Sequence, residues 1–211
     1  MATTQTPWGG WEPAPLAEVV SLFSGLRVPW WVAGGHAIEL AVGRSVREHG
    51  DIDVLVLRRD QLAAQQALPD WEWWAADPPG TLRPWQPEET LPPHVQDIWC
   101  RPASDEPWRV QLMLDESADS DWVSHRNTRI RRPITTLGRT SAEGTPYLTP
   151  EVQLFYKASG LRQKGQTDFT ATLPHLTAEQ RQWLRAAIAE TYGAHPWLGQ
   201  LDHADQVATN R

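Results

Sequence analysis

The sequence predicts an α+β fold: a mixed-sheet core with flanking helices over residues 1–140, then a smaller helical region over residues 141–211. Two observations predict it. Short apolar segments bounded by glycine, proline and polar residues recur through the first two-thirds of the chain, as expected for strands. From Thr149 onward, helix-start signals and apolar residues at helical spacing take over.

Composition limits the classes of protein that the chain can represent. Of its 211 residues 40% are hydrophobic and thirteen are Trp, which suffices for a buried core. The net charge of −7 argues against a broad basic surface for a nucleic-acid duplex. A single cysteine, Cys100, excludes an intramolecular disulfide and a thiolate metal cluster. Because no signal peptide or long apolar run is apparent, we expect a cytoplasmic protein without a membrane partner.

The predicted core begins with residues 1–13, a polar stretch expected to be a loosely held arm. Pro15 opens an amphipathic helix, and a Gly34-Gly35 turn separates the first strand from a short helix that Gly43 ends. The predicted helices are 15–25, 36–42 and 61–68, and the predicted strands are 30–33, 52–57 and 71–76.

The remainder alternates between strands and helices. Six prolines make residues 77–93 a rigid surface excursion, and strands are predicted at 95–101, 108–114 and 129–134. Thr149-Pro150 predicts an N-cap and first helical residue of a helix to Lys157. Thr177 and Gln180 form a capping-box pattern at the start of a second helix, which Gly193 ends.

The paired acids Asp51 and Asp53 are the strongest chemical signal. Side chains two residues apart on a strand point to the same face, so these carboxylates would lie side by side. Their repulsion favours a bound cation, and Mg²⁺ prefers oxygen ligands. A Gly-Gly pair before a helix lets the backbone approach a phosphate at the positive end of the helix dipole. The combination is typical of nucleotidyl transfer.

The segment GGHAIELAVGRSVREHGDIDV resembles the signature of the polymerase β-like nucleotidyltransferase superfamily. It is most similar to the branch with the aminoglycoside 2''-adenylyltransferases and lincosamide nucleotidyltransferases. That branch carries two glycines, an acid four residues later (Glu39), Gly-Arg (Gly43-Arg44), and a basic-x-His before the paired aspartates (Arg47 to His49).

The resemblance implies a function. Mg²⁺ would be bound by Asp51 and Asp53, while the nucleoside triphosphate, ATP or another, would be contacted by Gly34, Gly35, His36, Arg47 and Lys157, with Lys164 as a weaker possibility. A hydroxyl of a small molecule would attack the α-phosphate and take up AMP, with an aminoglycoside-like antibiotic as the most specific expectation. Two alternatives stay open: a degenerate nucleotide-binding or scaffold protein without turnover, and a toxin-like enzyme that modifies a macromolecule.

The sequence departs from that pattern at two points. His36 replaces the Trp or Ser that usually follows the glycines. A third carboxylate is expected on a later strand, yet Gln111 stands there. Asp97, on the preceding strand of the same hairpin, is slightly favoured as the third catalytic acid over Asp115. The sequence also leaves open whether Glu39 braces the loop by pairing with Arg44 or Arg47, and whether His49 is a hydrogen-bond partner of the acidic pair.

Overall fold

A computed structural model of the protein describes residues 4–202. Its central feature is a mixed sheet whose main path runs β11-β12-β3-β4-β8-β7-β5-β6; β9 and β10 extend from β8, and β1 and β2 form a separate hairpin. The strands are β1 Thr4–Thr6, β2 Gly9–Trp11, β3 Trp30–Val32, β4 Asp53–Leu57, β5 Glu72–Ala75, β6 Arg83–Pro84, β7 Asp97–Arg101, β8 Val110–Ala118, β9 Asp121–Val123, β10 Arg131–Pro133, β11 Gly138–Thr140 and β12 Pro146–Leu148.

Helices flank the sheet. They are α1 Leu16–Phe23, α2 Gly34–Val42, α3 Gln61–Ala67, α4 Pro150–Lys157, α5 Gln163–Thr172 and α6 Ala178–Tyr192, and a further helix begins at residue 197. Helix α2 packs against α4 and α5, whereas α1 packs against α3. Helices α4 and α5, which belong to the C-terminal helical region, therefore pack on the helix that starts with the two glycines.

Local signals explain where three of these helices begin or end. Gly43 ends α2 with a φ of 75°, a conformation that glycine adopts without strain. Pro150 occupies the first position of α4, where its missing N–H costs no hydrogen bond. Thr177 and Gln180 form both hydrogen bonds of the capping box at α6. The predicted α+β fold is confirmed.

The register of four strands places the acidic residues. Strand β4 is antiparallel to β3 and parallel to β8, and β8 is antiparallel to β7. The pairing sets Asp53 directly beside Gln111 and sets Asp97 opposite Met113. Because Val54, Leu55, Val56 and Leu57 are all buried, β4 is a fixed central strand that presents Asp53 at its first position.

Several local predictions are wrong. Residues 4–11 form a hairpin, not a loose arm, because Trp11 is buried against Trp99 and the backbone of Glu12 bonds that of Trp108. The two glycines are the first residues of α2, not a turn before it, and Asp51 precedes β4.

The predictions also lack β9, β11, β12 and α5. Strand β12 lies beyond residue 140 yet pairs with β3, and the division at that residue stays a prediction. Within residues 4–202, no helix combines the length and apolarity needed to cross a membrane.

Candidate functional site

The site is built around the first turn of α2. Gly34 has a φ of +66°, and its N–H donates a 2.8 Å hydrogen bond to Gln153 Oε1 on α4. A Cβ at this position would lie 2.0 Å from Asp53 Oδ2. Glycine is therefore required twice, for the backbone conformation and for the close approach of the carboxylate.

Asp53 lies in a crowded negative environment. Its withdrawal from water, together with the charges of Asp51 and Asp97, raises the pKa of Asp53 to about 7, although Lys157 and Lys164 oppose the shift. The predicted neighbours Asp51, Asp53 and Asp97 thus interact electrostatically. The ionised carboxylates lack enough positive charge nearby, which is the condition that a divalent cation would relieve.

Gln111 connects Asp53 to Asp97. It lies beside Asp53 in the parallel pair β4–β8, and its side-chain Nε2 donates a 2.9 Å hydrogen bond to Asp97 Oδ1. Burial raises the pKa of Asp97, while Gln111, His125 and Arg126 partly offset that rise. Gln111 stands where the third acid was expected. Its side chain therefore holds Asp97, an acid on the adjacent strand.

Asp115, the alternative third acid, has a different environment. Its carboxylate is fully buried and accepts hydrogen bonds from Trp122 Nε1 and Tyr156 Oη. It also lies 2.9 Å from His125 Nδ1. Burial and the adjacent carboxylate raise the pKa of Tyr156, so its hydroxyl keeps the proton that it donates. The geometry therefore favours Asp97 over Asp115 as the acid available to a substrate.

The predicted phosphate contacts Arg47 and Lys157 meet at one carboxylate. Arg47 binds Asp168 through Nε at 2.9 Å and Nη2 at 3.0 Å, and Lys157 Nζ lies 2.7 Å from Asp168 Oδ2. Asp168 is fully buried on α5. Burial also lowers the pKa of Lys157. The cluster joins the loop after α2 to helices α4 and α5, and two cations share one negative charge.

Sequence reasoning gave neither Asp168 nor Gln153 a role in this site. The signal for Gln153 was its place between the apolar Val152 and Leu154, whereas Asp168, in a mostly polar helix, has only Phe169 as an apolar neighbour in sequence. Polar residues are rarely fully buried without a partner. Gly34, the partner of Gln153, and Arg47, one partner of Asp168, lie more than a hundred residues away in the sequence, so these two pairings become visible only in the fold.

A second group of side chains lies beside Gly35. The rings of His36 and His49 are 4.3 Å apart, and a Cβ on Gly35 would lie 2.1 Å from His49 Cε1. Burial, reinforced by the neighbouring His49, lowers the pKa of His36 to about 4. His49 Nε2 lies 3.0 Å from Glu39 Oε1. The contacts described for His49 are thus with the first turn of α2 and with Glu39.

Glu39 braces the loop after α2, but not through an arginine side chain as predicted. Its Oε1 accepts hydrogen bonds from Ser45 Oγ at 3.0 Å and from the backbone N–H groups of Val46 at 2.7 Å and Arg47 at 3.3 Å. Burial alone would raise the pKa of Glu39, but these N–H groups and the nearby His49 lower it to about 2. The carboxylate is therefore ionised and oriented.

Comparisons with known proteins agree with this geometry. A model of the aminoglycoside-2''-adenylyltransferase family matches residues 15–72, the segment that carries the glycines and both aspartates. No curated protein matches the sequence. The fold is that of the nucleotidyltransferases, and the matched family model supports the predicted nucleotidyltransferase enzyme.

Two solved structures share this fold with the chain. The chain is similar to ANT(2'')-Ia in complex with adenylyl-2''-tobramycin, with 18% identity and a TM-score of 0.54 over 84% of this chain and 96% of that one. It is also similar to the lincosamide antibiotic adenylyltransferase LnuA bound to lincomycin, with 16% identity and a TM-score of 0.51 over 76% of this chain and 97% of that one.

Proposed function

We propose that the protein transfers AMP from ATP to a hydroxyl of a small molecule, specifically an aminoglycoside-like antibiotic, in a Mg²⁺-dependent reaction. The observation that carries the proposal is the position of Asp53. Its carboxylate is pressed against Gly34 at the start of α2, where withdrawal from water and the charge of Asp51 raise its pKa. An acid held there without enough positive charge nearby fits a cation and a triphosphate better than a purely structural role.

Asp51 and Asp53 would hold Mg²⁺, since oxygen ligands suit that ion. When bound, Mg²⁺ would neutralise charge on the triphosphate and on the departing pyrophosphate. Gly34, Gly35 and His36 would face the triphosphate at the helix start. Arg47 and Lys157 share only one carboxylate, Asp168, which leaves one positive charge in excess to attract the phosphates.

Asp97 would act as the general base. The acceptor oxygen forms a bond to the α-phosphorus, the bond between that phosphorus and the bridging oxygen breaks, and pyrophosphate leaves with the electron pair. The hydroxyl proton passes to Asp97. The raised pKa of this buried carboxyl makes it a stronger base than an exposed one, and Gln111 orients it through Oδ1.

The acceptor class rests on similarity and charge. The similar structures hold adenylyl-2''-tobramycin and lincomycin. The net charge of −7 suits a polycationic aminoglycoside better than a neutral acceptor. These two points favour tobramycin as the first acceptor to test and lincomycin as the second.

The test combines nucleotide binding with product formation. We expect ATP with Mg²⁺ to raise the melting temperature of the wild type, and ATP with tobramycin to give adenylyl-tobramycin by mass spectrometry. Asp53→Asn should lower product formation by at least about a thousandfold, since a metal ligand is lost. Asp105→Asn, at an exposed site in the β7–β8 connection, is the matched control and should stay near wild type.

Each negative result has a defined meaning. Absence of Mg²⁺-dependent stabilisation by ATP, GTP, CTP and UTP would overturn the enzyme proposal. Stabilisation by ATP without modification of tobramycin or lincomycin would overturn the antibiotic acceptor. Full activity of Asp53→Asn would overturn the assignment of the metal ligands.

A further inference from the structure

Three potential metal ligands converge on the side of α2 that faces the loop before β4. One ligand atom from each of His36, Glu39 and His49 lies within 4.8 Å of the other two. Within residues 4–202, no other group of three His, Cys, Asp or Glu side chains lies as close together as this one. His36 and Glu39 are one helical turn apart, and the fold brings His49 to them from the loop.

His49 provides an independent sign of a missing ligand. Its side chain is only 7% exposed, yet neither ring nitrogen makes a hydrogen bond. The polar contact described for the ring is that of Nε2 with Glu39 Oε1, at 3.0 Å, which leaves Nδ1 without a described partner. Natural proteins rarely leave such a buried polar group without a partner, because its lost hydration is not replaced.

Glu39 is already oriented as a ligand would need to be. Every hydrogen bond described for its carboxylate, within the part of the chain that the structure covers, falls on Oε1. Lone pairs on Oε2 are therefore available to an ion. Hydrogen bonds that fix the orientation of a metal-binding carboxylate strengthen metal sites in general.

We propose that His36, Glu39 and His49 bind one divalent transition-metal ion of the Zn²⁺ class, at a site separate from Asp51 and Asp53. Two imidazoles and one carboxylate are a donor set that suits Zn²⁺, whereas Mg²⁺ prefers oxygen ligands alone. The three residues also line a cavity of about 760 Å³, which leaves room for a water molecule as the fourth ligand.

The geometry requires only a small closure. Tetrahedral ligands at about 2.0–2.2 Å from Zn²⁺ lie about 3.3–3.6 Å from one another, so the present spacing must shrink by about an ångström at its widest. Side-chain rotation supplies that range. The positive charge of Arg47, which also lines this cavity, is directed at Asp168, which limits its repulsion of an incoming ion.

The test uses Co²⁺ as a spectroscopic probe for the site. The full-length protein is treated with a chelator and dialysed, then titrated with Co²⁺ and back-titrated with Zn²⁺. We expect one equivalent of Co²⁺ to give the intense visible absorption of a four-coordinate ion, and one equivalent of Zn²⁺ to remove it. This readout needs neither nucleotide nor acceptor, so it is independent of the proposed enzymatic function.

Variants then locate the ion. His36→Gln and His49→Gln should each weaken Zn²⁺ binding more than about tenfold, measured by competition with a chromophoric chelator. His175→Gln, at an exposed histidine, and Asp53→Asn should both keep the Co²⁺ absorption. Circular dichroism of the metal-free variants checks that each is folded. If either His36→Gln or His49→Gln fails to fold, the other still provides the test.

Three results would overturn the proposal. They are a wild type without the Co²⁺ absorption, an absorption that persists in both His36→Gln and His49→Gln, and an absorption that Asp53→Asn abolishes. The last would assign the ion to the aspartate pair.

Discussion

Asp97 and Asp115 lie on adjacent strands of one sheet, and their surroundings differ sharply. Asp115 is fully buried, and its oxygens are engaged by Trp122, Tyr156 and His125. The hydrogen bond described for Asp97 comes from Gln111 and uses only Oδ1. Asp97 is also electrostatically coupled to Asp53, a role not seen for Asp115 in the described residues. An acid whose two oxygens are both occupied by buried donors, as in Asp115, supports the fold, whereas one with an oxygen that accepts no described hydrogen bond, as in Asp97, is available to a substrate.

His125 connects the two environments. Its Nδ1 contacts Asp115, while its charge lowers the pKa of Asp97. Arg126 likewise acts on Asp97 and lies 5.7 Å from the ring of Tyr156. The structural cluster around Asp115 therefore sets one wall of the region in which Asp97 would meet a substrate.

Among variants of Asp97, Asp115 and Gln111, the largest effect is expected for Asp97→Asn. Loss of a general base slows proton transfer about a hundredfold to ten-thousandfold, so the rate of adenylyl-tobramycin formation should fall by that factor. The amide keeps the shape of the side chain, and the free energy of unfolding should change little. A rate within threefold of wild type would show that Asp97 is not the general base and that its role, like that of Asp115, is structural.

An intermediate effect is expected for Asp115→Asn, and on stability instead of rate. The amide cannot accept from Trp122, Tyr156 and His125 together, so a buried donor is left unsatisfied. We expect the free energy of unfolding in urea to fall by about 1–3 kcal/mol. The exposed Asp105→Asn is again the control. Unchanged stability with a hundredfold loss of rate would show that Asp115 acts in the reaction and does not mainly stabilise the fold.

The smallest effect is expected for Gln111→Met. The hydrogen bond from Gln111 lowers the pKa of Asp97, so its removal should raise that pKa further. Because Asp97 acts in its deprotonated form, the acid limb of kcat/KM should move to higher pH, by less than about one unit, with less than a tenfold loss at pH 8. Gln66→Met, at an exposed position on α3, should leave the limb in place.

Local patterns made much of this fold predictable. The apolar run after Asp53 predicts a buried strand, Gly43 predicts the end of α2, and Thr177 with Gln180 predicts the start of α6. Each signal acts within a few residues of the feature that it predicts. The paired aspartates and paired glycines could likewise be read as one site, because they lie close together in the sequence.

Long-range contacts account for what the sequence did not reveal. The N-terminal hairpin depends on the burial of Trp11 against residues near position 100, and Arg47 meets Asp168 from 121 positions away. The sequence favoured Asp97 only slightly over Asp115, since both acids fit the strand pattern. Only the pairing of β7 with β8 and the position of Tyr156 on α4 separate them.

The most direct test of the central claim is the pH profile of kcat/KM for wild type and Asp97→Asn, measured with ATP, Mg²⁺ and tobramycin. Burial raises the pKa of Asp97, so the wild-type value should fall as the pH drops through that raised pKa and the base becomes protonated. At Mg²⁺ concentrations that keep Asp53 ionised, we expect Asp97→Asn to be slower and to lack this acid limb. An identical acid limb in Asp97→Asn would contradict this expectation.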